Sequence, residues 1–234
     1  MRRQLLTGLL MTVVMTVLLG FAYPFAVAGI SDIAFKHQAN GSYLTVGGKP
    51  IGSSLIGQNF LDQHGNPLPQ YFQPRPSDAG TGYDAMASAA SNLGPLNDKL
   101  IAECLPVQAT DKDGNPEVDA KGNPVYEKNR DGSPVCNPNT APQRAVAYRQ
   151  LNGLAANASV PVDAVTASGS GLDPAISIAN ADLQAPRVAK AHHLALATVM
   201  AQIASHTHGR GLGFLGEKAV NVLELNLALD KLGH

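Results

Sequence analysis

Tryptophan is absent from this 234-residue chain, cysteine occurs twice, and aromatic residues make up 5%. An excess of charge of either sign is also missing: 17 Lys and Arg stand against 18 Asp and Glu. That balance, with no basic stripe interleaved with aromatics, excludes the electrostatic footprint of a nucleic-acid binder. Cys104 and Cys136 lack CxxC spacing and have no His beside them, which excludes the usual zinc and redox motifs. What is abundant instead is glycine and proline, 23 and 16 residues, the composition of a loop-rich mixed α+β domain rather than an all-helical one.

The most complete absence lies near the N-terminus, where Leu5 to Ala28 carries no charge behind Arg2 and Arg3. At 1.5 Å per residue, roughly 24 helical residues span about 36 Å, enough to cross a hydrocarbon core of about 30 Å. Ala26, Val27 and Ala28 also form an A-x-A site, so a cleaved signal peptide is the rival reading. A signal h-region runs about 7 to 15 residues, and this stretch exceeds it, which favours an uncleaved anchor over residues 1–29. Two N-terminal arginines hold that end in the cytoplasm, place residues 30–234 outside, and leave Tyr23, Pro24 and Phe25 at the outer interface. Export would put Cys104 and Cys136 in an oxidising space where they can pair; two unpaired thiols are the other reading.

Residues 30–234 are read as one loop-rich α/β domain. Short apolar runs between Ile51 and Phe60 suit strands, while the prolines and glycines of Tyr71 to Asp84 suit an irregular connection. Pro95 starts a helix running to about Cys104, and Thr140 with Pro142 starts one that ends at Gly153. Between them, over about 105–141, a turn phrase repeats: "DGNPEV" from Asp113, "KGNPVY" from Lys121 and "DGSPVC" from Asp131. Each reads as a hairpin tip on an inserted surface segment. Calcium at Asp111, Asp113 and Asp119 is the sharper alternative, but the acids follow neither EF-hand nor RTX spacing.

Val160 to Thr166 reads as a strand, and Ser177 caps a helix broken near Pro186. Leu196, Val199, Met200 and Ile203 form the apolar face of a further helix stopped by Gly209. "VNVLELNLALDKL" alternates like a strand, yet Asn221 at the N-cap with Glu224 at N3 favours helix.

Catalytic patterns are weak. Ser170 has Ser168 and Leu172 where a nucleophile elbow requires glycines, and no Lys follows Gly171 as a phosphate-binding loop requires. His192, His193, His206 and His208 lack a carboxylate or Cys at ligand spacing, which favours surface or helix-end roles over a metal site. Arg75, between Pro74 and Pro76, suits a carboxylate or a helix C-terminus.

The blocks "GSSLIGQNF", "YFQPRPSDAGTGYDAMASAASNLGP", "PVDAVTASGSGLDPAIS" and "LGFLGEKAVNVLELNLALDKL", in this order behind one anchor, resemble the C subunit of the bacterial Kdp potassium-transporting P-type ATPase. The resemblance extends over nearly everything except about Leu105 to Ala141. It implies a non-catalytic subunit of an ATP-driven, high-affinity potassium importer. Its partners would be a potassium-channel-like subunit, an ATP-hydrolysing P-type subunit, a small single-helix subunit and membrane lipid. The family's subunit is described as a catalytic chaperone raising ATP affinity, with the stretch here Ser168, Gly169, Ser170 and Gly171 as the nucleotide contact; no cofactor is expected to be held firmly. Arg75, Asp84, Asn92 and Asp173 are the candidate residues for docking to partners. The alternative is an anchored extracytoplasmic binding module or hydrolase unrelated to ion transport.

Overall fold

The computed structural model describes residues 1–232, which fall into two compact units, Met1–Leu55 and Ile56 onwards. The first unit is dominated by one helical rod, Arg2–Ala34, 33 residues long and apolar enough to cross a membrane. Its α1 (Arg2–Val17) and α2 (Tyr23–Ala34) are joined by a single π turn, Leu18–Ala22. The π turn precedes Pro24, whose ring in a regular α-helix would meet the carbonyl of Gly20; widening the backbone there relieves the clash. After a short α3 (Lys36–Ala39), strands β1 (Tyr43–Val46) and β2 (Lys49–Ser53) form an antiparallel hairpin. Gly47 and Gly48 both take positive φ, +57° and +79°, as a tight hairpin turn requires.

In the second unit, α4 is a single turn (Asp98–Ile101), α5 spans Ala141–Asn152, β3 spans Ala175–Ser177 and α6 spans Ile178–Ala191. Then come α7 (Leu196–Ser205), β4 (Thr207–His208), β5 (Ala219–Asn221) and α8 (Val222–Asp230). The strands make an antiparallel sheet in the order β3-β5-β4, with Ile176 and Thr207 both opposite Val220. Packing against it gives one core: Phe72, Ile176, Val188, Val199, Ile203, Val220, Leu225 and Leu229 are all buried. Helix starts are fixed locally, because Thr140, Ser177 and Asn221 each accept a hydrogen bond from the backbone N–H three residues on.

Several expectations are corrected. The helix expected from Pro95 to Cys104 is only Asp98–Ile101, because Asn97 supplies the cap by accepting from the Lys99 N–H. Val160 to Thr166 contains a 3-10 turn, Val162–Ala164, instead of a strand. Its Asp163 carboxylate is turned onto the Ser177 N–H and hydroxyl and the Asn180 amide, which pulls the segment into a bend. Pro186 does not break α6: it is exposed while Ala185, Val188 and Ala189 are buried, and on a solvent-facing side one missing N–H is tolerated by helix curvature. Of the Ile51–Phe60 region only Ile51 to Ser53 is strand, and α7 stops at Ser205, before Gly209.

Cys104 and Cys136 are bonded, with Cα atoms 4.9 Å apart, across the base of the 105–141 segment. That segment is a set of paired turns, with Gln108 opposite Tyr126, Thr110 opposite Pro116, Val118 opposite Pro124 and Lys128 opposite Pro134. In the first two turns the organising residue lies upstream of the phrase seen in the sequence, while in the third it is Asp131 itself, which accepts from the Ser133 N–H and hydroxyl. Asp111 accepts from the Asp113 and Asn115 N–H groups at 2.9 Å, and Asp119 accepts from Lys121 and Asn123 at 2.8 and 2.9 Å. Asp62 does the same with His64 and Asn66, a further copy of the turn outside the segment.

These bonds hold the carboxyls of Asp62, Asp111 and Asp119 below the usual 3.8. The Asn four residues on is the main cause, through its side chain at Asp62 and Asp119 and its backbone N–H at Asp111. A depressed folded-state value means that the turn's stabilisation is complete above 3.8 and is lost as pH falls through the lower value. Carboxyl NMR should therefore give Asp111 and Asp119 midpoints below 3.8, with the Gly114 and Gly122 amide signals titrating alongside. Midpoints at or above 3.8 would contradict the turn geometry.

Candidate functional site

Two irregular segments, Pro74–Ala89 and Thr166–Asp173, close around each other next to the sheet. Arg75 and Asp173, 98 positions apart, form an ion pair at 3.0 Å. The same guanidinium donates to the carbonyls of Ala167 and Thr166 at 3.3 and 3.5 Å. Ser77 donates to the Gly171 carbonyl at 2.6 Å, and Ser88 Oγ and the Ala89 N–H both donate to the Ser170 carbonyl, at 2.9 and 3.1 Å. The Gly57 N–H takes the Leu172 carbonyl at 2.9 Å. The Tyr83 hydroxyl bridges the clasp, donating within reach of the Arg75 and Asp173 carbonyls at 3.0 and 3.2 Å. Burial, and secondarily the nearby Asp173, push the Tyr83 phenol far above its ordinary value, so it stays a neutral donor.

Glycine permits this approach at two points. At Gly171 (φ +68°) a Cβ would lie 2.7 Å from the Ala89 carbonyl oxygen; at Gly57 it would lie 2.7 Å from the Asp173 carbonyl and closer still to the Tyr83 ring.

The predicted residues therefore divide. Arg75, Asp173, Ser168, Gly169, Ser170 and Gly171 belong to one clasp, with Ser168 and Gly171 buried and Gly169 and Ser170 exposed. Asp84 and Asn92 are exposed and stay local: Asp84 accepts from the Met86 N–H, and Asn92 donates to the Ala90 carbonyl. Among the histidines, His192 and His206 cap the ends of α6 and α7, and His208 lies 3.2 Å from Glu224. No group of three or more His, Cys, Asp or Glu among the described residues is placed to hold a metal ion.

Sequence reasoning missed the polar network beside the clasp. Asn226 Oδ1 accepts from the Phe72 N–H at 2.9 Å and its Nδ2 donates to the Phe72 carbonyl at 3.0 Å. Gln184 makes the same two-way pair with Gln73, at 2.7 and 3.1 Å. Arg187 donates to Asn152, to Gln184 and to the Pro69 and Tyr71 carbonyls, and burial lowers its value to about 10. The available signal was the run Asn180, Gln184, Arg187 at helical spacing on the side of α6 that also carries Ala181 and Val188.

Next to Arg75 lies an open cleft of about 530 Å³, bordered also by Asn59, Gln73, Arg144, Tyr148 and Gln184. Its described lining includes Ser77, Thr81 and Tyr148 but no His, Lys, Asp or Glu.

The chain thus pairs a helix long and apolar enough to cross a membrane with a unit in which two irregular segments hold one another, the make-up of a membrane-associated subunit. The family model for the K+-transporting ATPase, c chain, matches residues 5–127 and 128–231. The chain is 48% identical over 232 residues to the potassium-transporting ATPase KdpC subunit of Mycobacterium tuberculosis, covering 99% of this chain and 100% of the relative. KdpC subunits of Rhodospirillum rubrum and Koribacter versatilis match at 42% and 40% identity, over 99% and 98% of this chain and 97% and 95% of theirs. The chain belongs to the KdpC family. These matches run through the 105–141 segment as well, with the family-model match divided between residues 127 and 128. They give no support to an unrelated binding module or hydrolase.

Proposed function

We propose that this chain is the accessory subunit of an ATP-driven potassium importer, assembling beside a channel-like subunit, an ATP-hydrolysing P-type subunit and a small single-helix subunit. The observation that carries this reading is the full-length match to KdpC subunits of potassium-transporting ATPases. The helix Arg2–Ala34 anchors the chain, with the N-terminus cytoplasmic and the remaining domain extracytoplasmic. Arg2 and Arg3 before an uncharged span support that orientation, and the Cys104–Cys136 bond suits an oxidising compartment.

With the domain outside, any influence on ATP turnover travels through the membrane partners as a coupling between sites. The clasp supports a positioning role for Ser168–Gly171, since the carbonyls of Ser170 and Gly171 already hold Ser88, Ala89 and Ser77. Arg75 and Asp173 then shape the face offered to the partner subunits.

A tagged chain extracted from membranes should bring the other pump subunits with it, and deletion of its gene should abolish growth at limiting potassium. Recovery of the chain alone, with growth unaffected, would overturn the reading. Orientation has its own test, because the two native cysteines are bonded and Ser170 is exposed. A Ser170→Cys variant should react with membrane-impermeant maleimide in intact spheroplasts. Labelling only after the membrane is opened, with crosslinking of an ATP analogue to this stretch, would restore direct nucleotide contact.

A further inference from the structure

The loop between β4 and β5 displays apolar side chains that nothing in its own unit covers. Leu212 is 84% exposed, Phe214 70% and Leu215 54%. The display is held rigid. The Gly211 and Leu215 backbones bond reciprocally at 2.8 Å, the Gly213 N–H donates to the Arg210 carbonyl, and Arg210 pairs with Glu217 at 3.0 Å across the base. Leu212 sits at φ +51°, a conformation that costs a non-glycine residue on the order of 1–3 kcal/mol and persists only where the surroundings impose it.

We propose that this tip inserts into the interfacial region of the bilayer that carries the anchor, with Leu212, Phe214 and Leu215 entering among the acyl chains. In the proposed function the 33-residue helix, long and apolar enough to cross a membrane, puts this chain at a bilayer. The charges are arranged to suit. No acid lies between Gly211 and Gly216, while Arg210 and Lys218 at the base outnumber Glu217, leaving one net positive charge, the sign drawn to anionic lipid. An aromatic ring with leucines ahead of basic residues is the composition of interfacial segments. The proposal rests on the anchor of the proposed function and on none of its partners.

The chain contains no tryptophan, so Phe214→Trp introduces a single fluorescent reporter. In lipid nanodiscs the full-length variant should emit at short wavelength and lose about half its intensity when the acyl chains are brominated, more so with anionic lipid. Adding Leu212→Asn and Leu215→Ser should reduce that quenching without lowering the melting temperature, since both side chains are exposed. Water-like, unquenched emission from a disc-bound chain overturns the proposal. So does protection that appears only when the other pump subunits are added, which would make the loop a protein-docking element. Loss of the chain from the disc fraction would remove the anchor itself, and the proposed function with it.

Discussion

Replacing Gly171 by Ala destabilises the second unit by about 3 kcal/mol, whereas the same change at Gly169, two residues away in the SGSG stretch, stays within about 0.5 kcal/mol. At Gly171 the backbone is at φ +68°, and the new Cβ would meet the Ala89 carbonyl oxygen at 2.7 Å and the Ala79 nitrogen and Cβ at 2.8 Å. Two of those three atoms are backbone and cannot swing aside. At Gly169 φ is ordinary and nothing lies within 4 Å of the added carbon. A loss of about 3 kcal/mol lowers the melting temperature by roughly 6–12 °C in a domain of this size, readable by thermal denaturation of the detergent-solubilised chain. Equal effects at the two glycines would refute the clasp. If the stretch acts by positioning alone, Gly171→Ala should also weaken assembly, while Gly169→Ala leaves it intact.

Asn226→Ala costs about 3–5 kcal/mol, more than its size suggests, because it strands two backbone groups. Asn226 is 1% exposed, Phe72 is fully buried, and the amide satisfies both the N–H and the carbonyl of Phe72. Asn226→Leu separates the causes: it restores volume but neither hydrogen bond, so stability should not recover. Recovery in the leucine variant would show that packing, not backbone satisfaction, is what Asn226 supplies.

How much was legible followed the range of the interaction. Thr140, Ser177 and Asn221 announced their helices because a cap bonds three residues on, within one glance of the sequence. The apolar rod was legible for the same reason, although its end at Ala34 rather than Ala28 was not, since Ser31 and Asp32 complete the last turn without an apolar signature. The turn phrases were seen, but their register was read from glycine, and the organising Asp62, Asp111 and Asp119 sit upstream. Arg75 was read as suiting a carboxylate or a helix C-terminus, and the carboxylate that it meets, Asp173, is 98 positions away. Tyr83 and Asn226 carried no local signal, and Arg187 carried only its place at helical spacing on α6. Each has a partner far along the chain, Asp173, Phe72 and Tyr71 at 90, 154 and 116 residues, which only the folded chain brings to it.

The paired amides of Asn226 and Gln184 have a kinetic consequence. Phe72 and Gln73 lie in no strand, yet each has both its N–H and its carbonyl engaged by one side chain projecting from α8 or α6. Two helices thereby act as the neighbouring strand that this stretch lacks. Its amide protons should exchange with solvent as slowly as those of β5, opening only when the helices separate, although the surrounding backbone is irregular. The protection also belongs to the main chain, so it depends on the amides at 184 and 226 rather than on the strand pairing that this stretch lacks.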